Sequence, residues 1–159
     1  RFDRIPATVK LETNVQVMVE FDGGVPGLIW TSQVAMGHET EVTIRIFGET
    51  GSIEWTHLKP WELRVTRINQ PPQIYTANRD YLYPAAKELC RLPSGHIEGF
   101  YEAFGNLYRS FCMNLIAKKT GGNPGLFRYP TISDGVRGIQ FVEACLESNA
   151  KGNVWVTIE

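Results

Sequence analysis

The hydrophobic period changes once along this chain, and that change limits the class of fold it can reach. From Asn14 to Ile68 the apolar residues alternate with polar ones. In "NVQVMVEF", Val15, Val17, Val19 and Phe21 face one way and Gln16, Met18 and Glu20 the other, the period of a half-buried strand. "DGGVPG" breaks the run, and Asp22-Gly23 is a good hairpin dipeptide. "LIWTSQVA" returns with β-branched and aromatic residues. "EVTIRIFG" sets Val42, Ile44 and Ile46 against Thr43, Arg45 and Phe47, "ETG" turns the chain, and "SIEW" and "ELRVTRI" carry the pattern on through Leu63 and Val65. Connections this short pair strands antiparallel, because a parallel crossover needs about a dozen residues or more.

Past the proline-rich stretch "NQPPQIYT" the period lengthens. A short helix is expected over Tyr83–Leu89 and a long one from about Glu98 to Lys118, where Phe100, Phe104, Leu107, Phe111 and Leu115 recur at helical steps. "GGNPG" ends it. A third helix begins at "PTISDGVRGI", with Thr131 as N-cap and Asp134 placed for a capping-box role. Its stripe is Ile132, Val136, Ile139 and Leu146, and "NVWVTI" reads as a closing strand. The expected plan is α+β: an open, mostly antiparallel (mixed) sheet of about five or six strands, with two or three helices packed on one face. Residues 1–159 form one domain in this reading, with Phe104, Leu107, Phe111 and Val136 in its core. The other sheet face, with Trp55 and Trp61, is a candidate oligomer surface.

A chain of 159 residues, 43% hydrophobic, can bury a core of its own. Its net charge is −1 and its 16 Lys and Arg residues are scattered, whereas a nucleic-acid or anionic-membrane surface would show a basic patch. The apolar runs are too short to span a bilayer. "RFDRIPATVKLE" holds no signal core and no initiator Met, so a fragment or processed product is expected. The three cysteines form no CxxC pair. Cys112 and Cys145 fall in apolar helical patterns as small buried hydrophobes, and the odd count favours a reducing, cytoplasmic setting.

The chemistry in the sequence is sparse. No Gly-x-Gly occurs, so neither the dinucleotide fingerprint nor a P-loop is present, and no strand–helix–strand alternation builds a nucleotide site. His38, His57 and His96 lack metal-ligand spacing. Ser94 and His96, two apart in a turn, do not make a triad. Lys59 in "HLKP" reads as an exposed strand end. No complete catalytic set is present, and no catalytic, cofactor-binding or metal residue is assigned.

Three blocks add a resemblance: "SQVAMGHETEVTIRIFGETGSIEW" (Ser32–Trp55), "PSGHIEGFYEAFGNLYRSF" (Pro93–Phe111) and "YPTISDGVRGIQFVEACLESNAKGNVWV" (Tyr129–Val156). Together and in order they resemble the C-terminal domain of the Gfo/Idh/MocA oxidoreductases, the family named after glucose–fructose oxidoreductase and inositol dehydrogenase. The resemblance implies a parent with an N-terminal Rossmann domain, absent from this chain, that binds NAD or NADP and supplies a lysine in a Glu-Lys-Pro motif. This chain has no Glu-Lys-Pro and no Asp-x-x-x-His at the family position. It would then be the substrate and oligomerisation domain of a sugar or polyol dehydrogenase, binding no nucleotide and inactive alone.

The same resemblance implies substrate-binding roles for His96, Tyr101, His38 and Gln33. Each has a plainer alternative. His96 is either a hydroxyl ligand at the rim of the sugar pocket or a turn residue satisfied by backbone and Glu98. Tyr101 lines the pocket or packs in the core. Gln33 and His38, at a strand end where loops carry specificity, face substrate or water. A rival of a different class is a free-standing, non-enzymatic binding or scaffolding module.

Overall fold

The structure is a computed structural model that describes residues 8–124 and 128–158. It divides into two compact units, Arg1–Thr40 with Phe141–Glu159, and Glu41–Gln140. Among the described residues there are two antiparallel sheets, one of two strands and one of four, followed by three helices, the open α+β arrangement expected.

The first unit is built on a hairpin of β1 (Asn14–Phe21) and β2 (Val25–Ser32), with Phe21 paired to Val25. Asp22, Gly23 and Gly24 form the turn. Both glycines have positive φ, 85° and 78°, where a Cβ would be strained. Val15, Val17 and Val19 are the better-covered residues of β1, as their alternation predicts. Gly27 lies opposite Val19, and a Cβ there would meet Val19 Cγ2 at 2.8 Å. Trp30 Nε1 donates to Asn14 Oδ1 at 3.0 Å and closes the open end of the hairpin.

The second unit holds a four-stranded meander: β3 (Thr43–Gly48), β4 (Gly51–Thr56), β5 (Glu62–Arg67) and β6 (Gln73–Thr76). Its register separates two faces. Ile44, Ile46, Ile53, Trp55, Leu63 and Val65 share one; Arg45, Glu54 and Arg64 line up across the other, where Arg45 Nε donates to Glu54 Oε2 at 2.9 Å. β6 lies inside the proline-rich stretch, to which the sequence reading assigns no strand. Pro71 and Pro72 precede it, so no missing proline N–H interrupts its ladder.

The closing strand is a correction. Val154–Ile158 join no strand. Asn153 N–H donates to the Ser148 carbonyl at 2.7 Å, and Ser148 Oγ donates to the Val154 carbonyl at 2.6 Å. These bonds fold the exit from the last helix back onto its own end. Alternation alone does not supply a ladder partner.

The helices are α1 (Pro84–Lys87), α2 (Phe100–Thr120) and α3 (Ile132–Ala150). α3 starts as its sequence predicts: the Asp134 carboxylate accepts from Thr131 N–H at 2.7 Å and Thr131 Oγ1 at 2.6 Å. α2 ends at Gly121, with φ of 75°, and Gly122 N–H donates to the Ala117 carbonyl at 2.8 Å. Gly125 of the "GGNPG" stop lies outside the described residues.

The expected core positions are also corrected. Phe104, Leu107, Phe111 and Val136 are between 42% and 54% exposed, whereas Ser110 and Asn114 are buried, at 5% and 7%. The reason is hydrogen bonding. The Asn106 amide donates to the Leu89 carbonyl at 2.7 Å and the Asn114 amide to the Pro124 carbonyl, so α2 turns its Asn–Ser–Asn stripe inward. The Phe–Leu stripe is left open, covered in part by Tyr129, whose ring meets Phe111 edge-on at 5.5 Å. Cys112, on the side away from the polar stripe, is exposed rather than buried; Cys145 is half-buried, and burial pushes its thiol up. Among the described residues no helix is long and apolar enough to cross a membrane.

Candidate functional site

A tight turn places His96. The Pro93 carbonyl accepts His96 N–H at 3.1 Å across Gly95, whose φ is 88°. The same carbonyl lies 3.2 Å from His96 Nδ1. A carbonyl only accepts, so Nδ1 carries the proton of that bond, and in the neutral ring Nε2 is left as an acceptor. Glu98 does not satisfy the ring. Its Oε1 accepts backbone N–H groups from both Arg91 and Leu92 at 2.8 Å, and so fixes the chain leading into the turn. Ser94 Oγ accepts from Arg79 Nη1 at 3.4 Å, and among the described residues no hydrogen bond joins Ser94 to His96.

His96 opens on a small cleft of about 160 Å³, lined by Trp61, Thr76, Ala77 and Arg79 and by Gly95, His96 and Ile97. All of these belong to the second unit. The exit of β6 forms one wall. Ala77 N–H donates to the Trp61 carbonyl at 3.0 Å, and Asn78, at φ of 53°, reaches the Leu92 carbonyl with its amide. Arg79 Nε donates to Thr76 Oγ1 at 3.3 Å. The Tyr81 hydroxyl accepts Thr76 N–H at 2.9 Å and lies 3.2 Å from Thr76 Oγ1. The Thr76 hydroxyl and backbone N–H hold that phenol below its usual range, with a smaller contribution from the Arg79 charge.

The other sequence candidates sit elsewhere. Tyr101 is on the first turn of α2, 86% exposed, so it is not the core residue of its plainer reading. Its ring meets Phe100 edge-on at 6.2 Å, and it does not line the cleft. Gln33 and His38 are exposed in the loop after β2, in the first unit, where Gln33 N–H donates to Thr13 at 2.7 Å and His38 N–H to Ala35 at 3.1 Å. Trp61, Thr76 and Arg79 are residues that motif reading missed as site residues. Their signal was the strand "QIYT" hidden behind two prolines, since the cleft wall exists only if that strand does.

Among the described residues both sheets are antiparallel, and none supplies the strand–turn–helix unit that cradles a pyrophosphate. The long helix that could offer an anion site has its Gly99 N–H occupied by the Glu102 carboxylate at 2.8 Å. That bond holds the Glu102 carboxyl below its usual range, so a negative charge already sits there. Among the described residues no three His, Cys, Asp or Glu side chains gather to hold a metal ion.

An open α+β arrangement of two antiparallel sheets and long helices, with a small recess beside His96, is the class that the described residues define. The model of the oxidoreductase family's C-terminal alpha/beta domain, that of the Gfo/Idh/MocA proteins, matches residues 3–158, and the chain belongs to that family. It is 35% identical over 148 residues to the uncharacterized oxidoreductase YfiI of Bacillus subtilis (strain 168), covering 92% of this chain and 38% of the relative. An inositol dehydrogenase homolog from Azotobacter vinelandii, solved with NADH and myo-inositol, superposes with a TM-score of 0.86 at 38% identity, over 94% of this chain and 40% of that one. An oxidoreductase from Sinorhizobium meliloti gives 0.87 at 36% identity, over 98% and 44%. The chain thus spans about two fifths of the length of these relatives.

Proposed function

We propose that this chain is the substrate-side domain of a nicotinamide-dependent dehydrogenase acting on a sugar or polyol, and that residues 1–159 work as one such domain. The observation that carries the reading is the His96 cleft, in which a turn-locked imidazole keeps Nε2 as an acceptor beside Arg79 and Trp61. An acceptor on a rigid mount suits a substrate hydroxyl, and an indole face suits the apolar side of a sugar ring. The Azotobacter vinelandii relative solved with NADH and myo-inositol supports a polyol of this kind. NAD or NADP is held by a domain outside this chain, and the chain alone binds neither. Tyr101, His38 and Gln33 are further substrate-binding candidates, each on its own element outside the cleft. The protein works in the cytoplasm and assembles with copies of itself through the apolar sheet face.

The test is an assay of the full-length protein with NAD and NADP against a panel of cyclic polyols and aldoses, with titration calorimetry of the isolated chain alongside. Substrate-dependent nucleotide reduction by the full-length protein, and no heat of nucleotide binding to the chain alone, is the expected pair of results. Tight, saturable nucleotide binding by the isolated chain contradicts the division of labour. Absence of turnover across the panel contradicts the substrate class.

A further inference from the structure

We propose that the His96 cleft takes the carboxylate end of an acidic sugar, so that Arg79 sets a preference for sugar acids over neutral sugars. This rests on the reading of the chain as a dehydrogenase's substrate-side domain, and it narrows the substrate class within it.

Arg79 is the one residue lining the cleft that is always cationic, and no Asp or Glu lines it. Among the described residues its guanidinium makes two hydrogen bonds, both to neutral hydroxyls, those of Thr76 and Ser94. The carboxylates nearby in sequence are engaged elsewhere. Asp80 pairs with Lys87 Nζ at 2.7 Å, Glu98 holds the Arg91 and Leu92 N–H groups, and Glu102 caps Gly99. The protein therefore steers its own anions away from Arg79. The two hydroxyls take Nε–H and one Nη1 N–H, and leave the second Nη1 N–H and both of Nη2 for a ligand.

Size and charge balance then choose the anion. Ligand pockets usually measure about 300 Å³ or more, so a cleft of about 160 Å³ receives one end of a substrate and not the whole of it. One fixed guanidinium balances the single charge of a carboxylate and matches its two oxygens. A phosphate dianion calls for further cationic or N–H donors that the lining does not offer. The Trp61 indole beside Arg79 suits the ring that carries the carboxylate, and His96 Nε2 suits a neighbouring hydroxyl.

The test uses the full-length enzyme with its nucleotide and three matched compounds: galacturonate, galactose and galactose 6-phosphate. The expected result is a kcat/KM for galacturonate about tenfold or more above that for galactose, a preference that shrinks with added salt. Arg79→Gln should collapse the galacturonate-to-galactose ratio towards one, and Arg79→Lys should keep part of it. Equal kcat/KM for the acid and the neutral sugar overturns the inference while leaving the dehydrogenase reading intact. So does an Arg79→Gln variant that lowers both equally. A preference for galactose 6-phosphate overturns the carboxylate assignment. If none of the three turns over, the dehydrogenase reading is decided by the wider panel of polyols and aldoses and the cleft by binding. Equilibrium titration of galacturonate and galactose into the nucleotide-loaded protein then decides the cleft: tighter acid binding that Arg79→Gln abolishes supports it, and equal binding overturns it.

Discussion

Arg79 and Ser94 meet across 3.4 Å, from guanidinium Nη1 to hydroxyl Oγ, and this contact ties the exit of the four-stranded sheet to the turn that carries His96. Removing the hydroxyl frees the guanidinium without touching the imidazole. Ser94→Ala should therefore raise KM by about two- to fivefold, the size of one neutral hydrogen bond, with kcat little changed. Steady-state kinetics of the full-length protein check it; a large fall in kcat with KM unchanged would place Ser94 in the chemistry instead.

The start of α3 gives a pH prediction. Thr131's hydroxyl, then its backbone N–H, hold the Asp134 carboxyl below its usual range. A depressed folded pKa means the stabilisation is present above the unfolded value, about 3.9. It is lost as pH falls through the folded value. Asp134→Asn should flatten the acid side of the stability curve between about pH 5 and about pH 2. Urea unfolding midpoints across that range measure it. Part of the slope should remain, since Asp80 and Glu102 are depressed in the same direction by Lys87 and by Gly99 N–H.

How far the sequence led depended on whether a feature was local. The alternation in "NVQVMVEF", the glycine turn after it and the Thr131–Asp134 start of α3 are set by neighbours a few residues apart, and the structure shows them as read. β6 escaped notice because its strand character comes from pairing with β5, while the two prolines just before it break the local pattern. "NVWVTI" erred in the opposite direction, with the right alternation and no ladder partner. The inward stripe of α2 was hidden because Asn106 and Asn114 are chosen by distant carbonyls, not by hydropathy. The turn that carries His96 was legible in Pro-Ser-Gly. The place of Arg79 was not, because its partner Ser94 is distant in sequence.

The apolar face of the four-stranded sheet gives a prediction about assembly. Ile44 and Ile46 remain 51% and 57% exposed on the face they share with Trp55 and Val65. Apolar residues gathered like this favour burial against a second copy. Light scattering of the full-length protein should give an oligomer, and Ile46→Lys should shift it to smaller species while the circular dichroism spectrum is kept. A monomer at high concentration would contradict the sheet as an interface.

His57 offers a test of stability. It follows β4, its N–H donates to the Val42 carbonyl at 2.8 Å, and among the described residues its buried Nδ1 has no hydrogen-bond partner. A buried polar atom without a partner costs more than an apolar one in its place. His57→Leu should leave stability unchanged or raise it by up to about 1 kcal/mol. A urea melt showing a clear loss would mean the imidazole is partnered in solution.

The central claim is that His96 holds substrate and takes no part in binding the nucleotide. Its most direct test is the kinetics of His96→Ala in the full-length enzyme on its best sugar or polyol, with nucleotide affinity measured in parallel. The account predicts that KM rises about tenfold, while nucleotide affinity and the melting temperature stay at the parent's values. Kinetics indistinguishable from the parent's, or a loss of nucleotide affinity in step with activity, would contradict it.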